Sequence, residues 1–226
     1  MRKVLSMYSF VGVFKKKYIA LILVFLFILS ACNGKKVDQN MESDPNTANP
    51  SVETTIYNIF QGDEEDKVKA EKILDQIDQI DWTVFWTISD DFSPDDPPPT
   101  FQLLDFLKEF MFDSDIDMDK KVNFFKATKH LDGAYAEQYC SVVGDLFLQD
   151  KKGTISLISQ IDPSKYEEMI GFILYRLAYT FSDEELDKIQ DQVEELKKSD
   201  ITDSEKRVID IFLNKMAEAR GEDGYF

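Results

Sequence analysis

His130 is the one histidine in the sequence, so any Ser-His-Asp or Cys-His catalytic site would have to use it. The chain contains no Gly-x-Ser-x-Gly turn around a serine nucleophile and no His-Glu-x-x-His zinc motif. Residues 129–133, which surround this histidine, are typical of a helix C-terminus, where a histidine interacts favourably with the helix dipole. We therefore predict a structural role for His130 rather than a catalytic one.

Alternating aspartates in residues 113–119 have the spacing with which an EF-hand calcium loop begins. Counted from Asp113, the sixth position holds Met118 where such a loop needs Gly, and the twelfth holds Phe124 where it needs a bidentate Glu. The ligand count therefore falls short of a calcium site. We predict an acidic turn without a bound metal, whose last aspartate caps a helix that begins near Asp119.

Paired carboxylates are the other candidates for chemistry. Asp90-Asp91 and Asp95-Asp96 lie in the proline-rich loop of residues 89–100. A catalytic acid needs a raised pKa, and a flexible loop does not provide the apolar pocket that raises it. Glu137, inside a predicted helix, is the remaining candidate for a general acid. We predict no catalytic residue and keep a carboxylate-based envelope or cell-wall enzyme as the alternative function.

The aromatic residues comprise 18 Phe, 9 Tyr and 2 Trp, and most of them fall on apolar helix faces, so core packing accounts for them. Trp82 and Trp86 are exceptions, because they lie four residues apart beside the acidic loop. They form either a ligand platform or a pair on one helix face. Cys140 lies in an apolar helical stretch, which predicts a small buried side chain rather than a reactive thiol.

The N-terminal region has the pattern of an export signal. Residues 1–17 carry five basic and no acidic residues, residues 18–29 are an unbroken apolar run, and Ser30-Ala31-Cys32 follows. This order is typical of a secretory signal peptide. A transmembrane anchor is the rival interpretation, but a spanning helix needs about 20 apolar residues and this run is shorter.

Leu29-Ser30-Ala31-Cys32 resembles the bacterial lipobox. The resemblance implies that the Cys32 thiol receives a diacylglyceryl group and that the chain is cut before it, so residues 1–31 are a signal peptide. Residues 32–51, rich in Asn, Asp, Ser and Pro, then form a lipidated flexible tether. Two acyl chains give stable anchoring. The expected location is extracytoplasmic, with the lipid in the cell membrane or the outer membrane.

From Asp63 onward, apolar residues recur at helical spacing. Trp82–Ile88 is ambiguous, because its residue types favour a strand and its neighbours favour a helix. The clearest predicted helices span residues 101–112, 119–131, 134–149, 154–161 and 163–181. Thr154 is the predicted cap of the fourth of these helices and Asp162 that of the fifth. Two more helices are predicted to begin at the capping boxes Ser182-x-x-Glu185 and Thr202-x-x-Glu205, and the last helix is predicted to end at Gly221.

About seven helices joined by short turns predict an all-α domain over residues 52–226. Two architectures fit: an antiparallel α-hairpin array, which resembles HEAT and armadillo arrays in layout only, or a compact helical bundle. The sequence shows no βαβ alternation, which a two-lobed solute-binding protein would need.

The charge of the chain narrows the class of partner. It has 26 basic and 43 acidic residues, and removal of residues 1–31 leaves 21 basic against 43 acidic, a net charge of −22. Such a surface repels phosphate backbones, which excludes nucleic acid. We predict a helical protein-interaction module at the bacterial cell envelope that needs no cofactor and binds a protein with a basic surface.

Overall fold

A computed structural model describes residues 50–88 and 97–221. These ranges contain nearly all of the predicted helical domain. The predicted signal peptide, the lipobox with Cys32, nearly all of the predicted tether and most of the acidic proline-rich loop lie outside the described residues.

The described residues fold as an all-α domain, as predicted, with ten α-helices, two short 3-10 helices and no strand in these ranges. The α-helices are α1 (Val52–Gln61), α2 (Asp66–Leu74), α3 (Trp82–Ile88), α4 (Pro99–Phe110), α5 (Met118–Lys126), α6 (Gly133–Gln149), α7 (Lys151–Ile158), α8 (Tyr166–Thr180), α9 (Asp183–Leu196) and α10 (Asp203–Gly221). The 3-10 helices are Ile77–Gln79 and Pro163–Lys165.

The even-numbered helices pack side by side in a row. α2 contacts α4, α4 contacts α6, α6 contacts α8 and α8 contacts α10, while α1 contacts α3. α5 packs on α7, which also contacts α10. This neighbour pattern is typical of successive α-hairpins stacked side by side. One continuous hydrophobic cluster runs through the described helices, and its largest fully buried side chains are Trp82, Tyr139, Tyr166, Phe85, Phe124, Phe125, Phe147 and Phe212.

The most extensive helix contact, between α6 and α8, depends on Gly144. A Cβ atom placed on this residue would lie 2.3 Å from both Cβ and Cγ of Arg176. No real pair of carbon atoms approaches so closely without a bond, so any larger residue would push the two helices apart. The glycine thus sets the distance between the helices and holds the stem of Arg176 against α6.

The ambiguous segment Trp82–Ile88 is a helix. Asp81 precedes it, and its Oδ1 accepts hydrogen bonds from the amides of Thr83 (3.2 Å) and Val84 (3.3 Å). This carboxylate therefore acts as an N-cap and overrides the strand preference of the residue types.

The predicted helix over residues 119–131 is wrong in its last part, because α5 ends at Lys126. Two aromatic side chains from other elements bond the carbonyls at this end: Trp82 Nε1 donates to the oxygen of Ala127 (2.7 Å) and Tyr139 Oη to that of Phe124 (2.8 Å). These donors satisfy carbonyls that a helix end leaves without partners, so the chain can turn here.

The prediction that Thr154 caps the next helix and that the helix runs to residue 161 is also wrong. α7 begins at Lys151 and ends at Ile158, and Asp150 Oδ1 accepts the amide of Gly153 at 2.9 Å. A Cβ on Gly153 would lie 2.3 Å from Asp150 Oδ2, so the glycine leaves room for the capping carboxylate. Thr154 is fully buried.

Both predicted capping boxes are confirmed. The Ser182 amide donates to Glu185 Oε2 at 2.8 Å. The Thr202 amide donates to Glu205 Oε2 at 2.6 Å, and the Glu205 amide donates to Thr202 Oγ1 at 3.2 Å. These local contacts fix where α9 and α10 begin.

Candidate functional site

His130 contacts a buried carboxylate and does not lie in the last turn of a helix. It sits beyond the end of α5 with a φ of 54°, and its Nδ1 lies 2.7 Å from Asp81 Oδ2. Lys129 Nζ lies 3.4 Å from the same oxygen. The predicted interaction with a helix dipole is therefore wrong, because the chain leaves the helix before His130. Its structural role is to join the turn after α5 to the start of α3.

Asp81 is held as a carboxylate by its hydrogen bonds. Burial acts to raise its pKa, but the hydrogen bonds from His130 and the Val84 amide outweigh that effect and leave the pKa below its usual value. Within the described residues no Ser, Thr or Cys side chain hydrogen-bonds to His130. A catalytic triad would require a hydroxyl or thiol hydrogen-bonded to the histidine, and the described residues supply none to His130.

The buried carboxylates of the described domain are used to hold helix N-termini. They are Glu53, Asp81 and Glu205, each less than 9% exposed. Glu53 Oε1 accepts the Asp81 amide at 2.9 Å, which ties α1 to the start of α3. Burial acts to raise the pKa of Glu205, yet the hydrogen bonds from Thr202 outweigh it and lower that pKa. Neither Asp81 nor Glu205 offers the raised pKa of a general acid.

The acidic turn of residues 113–119 holds a lysine side chain between its carboxylates. Lys67 Nζ lies 2.6 Å from Asp115 Oδ2 and 3.7 Å from Asp113 Oδ2. The expectation that the last aspartate caps the helix is wrong: Asp119 lies in the first turn of α5, and Asp117 at the N-cap position makes no capping hydrogen bond. The described residues contain no group of three or more His, Cys, Asp or Glu side chains placed to hold a metal ion.

The two tryptophans do not form a shared ligand platform. Trp82 is fully buried and bonded to the Ala127 carbonyl, whereas Trp86 is half-buried and its ring centroid lies 4.8 Å from that of Tyr135. Cys140 is buried as predicted, and burial raises the pKa of its thiol to about 12. A thiol with that pKa is protonated at neutral pH and is a poor nucleophile.

An open groove of about 340 Å³ lies across α4, α6 and α8, and we call it the tyrosine groove. It is lined by Phe101 of α4, by Ala134, Glu137, Gln138 and Ser141 of α6, and by Tyr175, Arg176 and Tyr179 of α8. The α6 residues recur at intervals of three and four, so they share one helix face. Glu137, the acid singled out from the sequence, is therefore on the groove surface.

The charged groups at the groove are mostly paired with each other. Arg176 Nε and Nη2 both lie 3.0 Å from Asp145 Oδ1, and Lys108 Nζ lies 3.4 Å from Asp145 Oδ2. Glu137 is exposed, and within the described part of the chain it forms no ion pair. The Glu137 carboxylate thus has no countercharge among the residues that the structure describes.

Tyr175 and Tyr179 are two of the three aromatic side chains that line the groove, and Phe101 is the third. The ring centroids of the two tyrosines are 4.7 Å apart, Tyr179 is 59% exposed, and Tyr175 is half-buried. Burial, together with the hydrogen bond to Tyr179, raises the pKa of Tyr175. Neither tyrosine was predicted from the sequence as a binding residue. The helical spacing could have indicated them, because these two tyrosines are four residues apart and lie outside the apolar helix face that contains Ile173 and Leu177.

Comparisons with protein-family models, with curated proteins and with solved structures find no match for this chain. In the ranges 50–88 and 97–221, no helix combines the length and the apolar character needed to cross a bilayer. The features of this protein that bear on its function are the tyrosine groove, the net negative charge of the chain and the lipobox-like residues.

Proposed function

We propose that this protein is a membrane-anchored extracytoplasmic lipoprotein and that its helical domain is a protein-interaction module at the bacterial cell envelope. The observation that carries the proposal is the tyrosine groove, an open surface with three aromatic side chains and a carboxylate that has no ion pair among the described residues. Exposed tyrosines that combine an apolar ring with a polar hydroxyl are typical of protein-binding surfaces.

The environment of the carboxylates supports binding over catalysis. Glu53, Asp81 and Glu205 are occupied with amide groups at helix N-termini, and Glu137 faces solvent on an open groove. A carboxylate-based enzyme would need an acid enclosed in an apolar cleft beside a second carboxylate. The acid pairs Asp90-Asp91 and Asp95-Asp96 lie outside the described residues.

In this proposal the lipid on Cys32 holds the protein in the cell membrane or outer membrane. Residues 32–51 then act as a tether whose reach is roughly 25 Å, enough to lift the groove away from the lipid headgroups. The excess of acidic residues favours encounter with a partner that has a basic contact surface and disfavours nucleic acid.

The test places a photo-crosslinking amino acid in the full-length chain, in its native membranes. Position 134 is suitable because Ala134 is exposed and lines the groove. The control is position 188 on α9, where Lys188 is exposed outside the groove. We expect a discrete protein adduct from position 134 and none from position 188. Adducts of equal yield at both positions, or at neither, would contradict docking at the groove.

The same chain with Cys32→Ser tests the anchor. We expect it to take up no labelled fatty acid, and to be released from the membrane fraction or left uncleaved, because the thiol is the acceptor of the lipid. Unchanged lipid labelling and unchanged fractionation would show that the lipobox interpretation is wrong.

A further inference from the structure

We propose that the tyrosine groove binds a lysine or arginine side chain of the partner, between the rings of Tyr175 and Tyr179 and the carboxylate of Glu137. This inference rests on the proposed function, since it names the chemical group that the docking surface recognises. Three properties of the groove support it: its aromatic rings, its local charge and the fixed position of its own cation.

The rings provide surfaces that attract cations. The faces of tyrosine rings carry partial negative charge, and they attract a cation that lies within about 6 Å of a ring centroid. Tyr179 exposes 59% of its surface, and Tyr175 lies beside it with a ring tilt of 49°. An aliphatic stem of lysine or arginine would also cover apolar ring surface here.

Five charged side chains of the described residues in or next to the groove have a net charge of −1. Asp105 and Asp145 carry two negative charges, which are balanced by the positive charges of Lys108 and Arg176. Lys108 Nζ lies 3.8 Å from the Asp105 carboxylate and 3.4 Å from that of Asp145, and Arg176 is bonded to Asp145. Glu137 is the acid left over. An incoming cation would complete the balance, and an incoming anion would add to the excess negative charge.

The pairing of Arg176 with Asp145 reduces the repulsion between this arginine and a cation bound in the groove. Its guanidinium is bonded to Asp145, and its stem is pressed against Gly144, so the charge is directed along α6 toward Asp145. Because the contact with the glycine leaves no room for the stem to shift toward α6, this orientation is built into the packing of α6 and α8. Among the described residues that line the groove, Glu137 is therefore the charged side chain without an ion pair.

The test uses the full-length chain, solubilised in neutral detergent and labelled with 3-fluorotyrosine, whose ring signals are assigned by Tyr175→Phe and Tyr179→Phe. The probe is tetralysine, and the comparison peptides are tetralysine acetylated on its side chains and tetraglutamate. We expect tetralysine alone to shift the signals of Tyr175 and Tyr179. Glu137→Gln should weaken its apparent affinity about threefold, because one exposed charge pair is lost.

Glu218→Gln is the matched control, since Glu218 is an exposed acid on α10, outside the groove. We expect its affinity for tetralysine to stay within about twofold of that of the native chain. Equal weakening in both variants would show general attraction to an acidic protein and would overturn the proposal. Shifts caused by acetylated tetralysine or by tetraglutamate would overturn it as well, because the groove would then recognise another chemistry.

The outcome separates this inference from the proposed function. If tetralysine leaves the tyrosine signals unchanged while position 134 still crosslinks to a partner, the groove is a docking surface and the cation proposal is wrong. If tetralysine shifts the signals and position 134 gives no adduct, the cation site stands and the docking proposal fails.

Discussion

Asp81 and Glu137 are carboxylates in contrasting surroundings. Asp81 is buried, and its two oxygens are shared among two amides, His130 and Lys129. Glu137 is exposed at the tyrosine groove without an ion pair among the described residues. A buried charge must be fully paired to be tolerated, whereas an exposed one can remain open to a ligand. The contrast separates an acid that builds the fold from one available for binding.

The largest expected difference between the two acids is in how much the protein is destabilised when each one is replaced by alanine. Asp81→Ala removes the cap of α3 and the partner of His130, and should lower the free energy of unfolding by about 2–4 kcal/mol. Glu137→Ala should change it by less than about 0.5 kcal/mol, because the side chain is exposed. Urea unfolding at neutral pH measures both. Similar costs for the two variants would remove the contrast between the two acids.

The spacing of α6 and α8, on which the groove depends, is tested with two glycines. Gly144→Ala forces a carbon into Arg176 and should cost about 1–3 kcal/mol. Gly171→Ala is the matched control, because its added carbon would meet no described atom within 4 Å apart from the adjacent residues and backbone of its own helix. Alanine also favours a helix, so this variant should be more stable by up to about 1 kcal/mol. Thermal unfolding of both variants measures the two changes in stability, which should have opposite signs. Changes of the same sign would show that α6 and α8 can accommodate a side chain at position 144.

The stabilisation that Asp81 provides should depend on pH. Because the pKa of Asp81 is lower in the folded state than in the unfolded chain, its stabilisation is complete above the unfolded value of about 4 and is lost as the pH falls through the folded value. The difference in unfolding free energy between the native chain and Asp81→Asn should therefore shrink below about pH 4. A difference that stayed constant down to about pH 2.5 would contradict this assignment.

The smallest effect is expected for calcium at the acidic turn. Millimolar calcium should hardly shift the melting temperature, because Lys67 already lies between Asp113 and Asp115 and the loop lacks the glycine and glutamate of an EF-hand. The measurement compares the melting temperatures of the native chain and of the double variant Asp115→Asn/Asp117→Asn with and without calcium. A rise of several degrees in the native chain alone would show that this turn binds the ion.

Much of the fold follows from local sequence. Helical spacing predicts most of the helices, and the capping boxes at Ser182 and Thr202 predict where α9 and α10 begin. These features involve residues three or four apart, so short segments carry them. The prediction failed at the end of α5, where Trp82 and Tyr139 supply donors from elsewhere in the chain.

The all-α class, the charge, the lipobox-like residues and the presence of Glu137 on a helix can be read from the amino-acid sequence. Tertiary packing decides which acids hold the fold together. Asp81 precedes α3 and His130 follows α5, so the two residues are 49 positions apart in the chain and come together only in the folded domain. The same holds for the tyrosine groove, which joins residues of α4, α6 and α8. Contacts within a helix repeat with a fixed period, whereas contacts between helices depend on the distance that residues such as Gly144 allow.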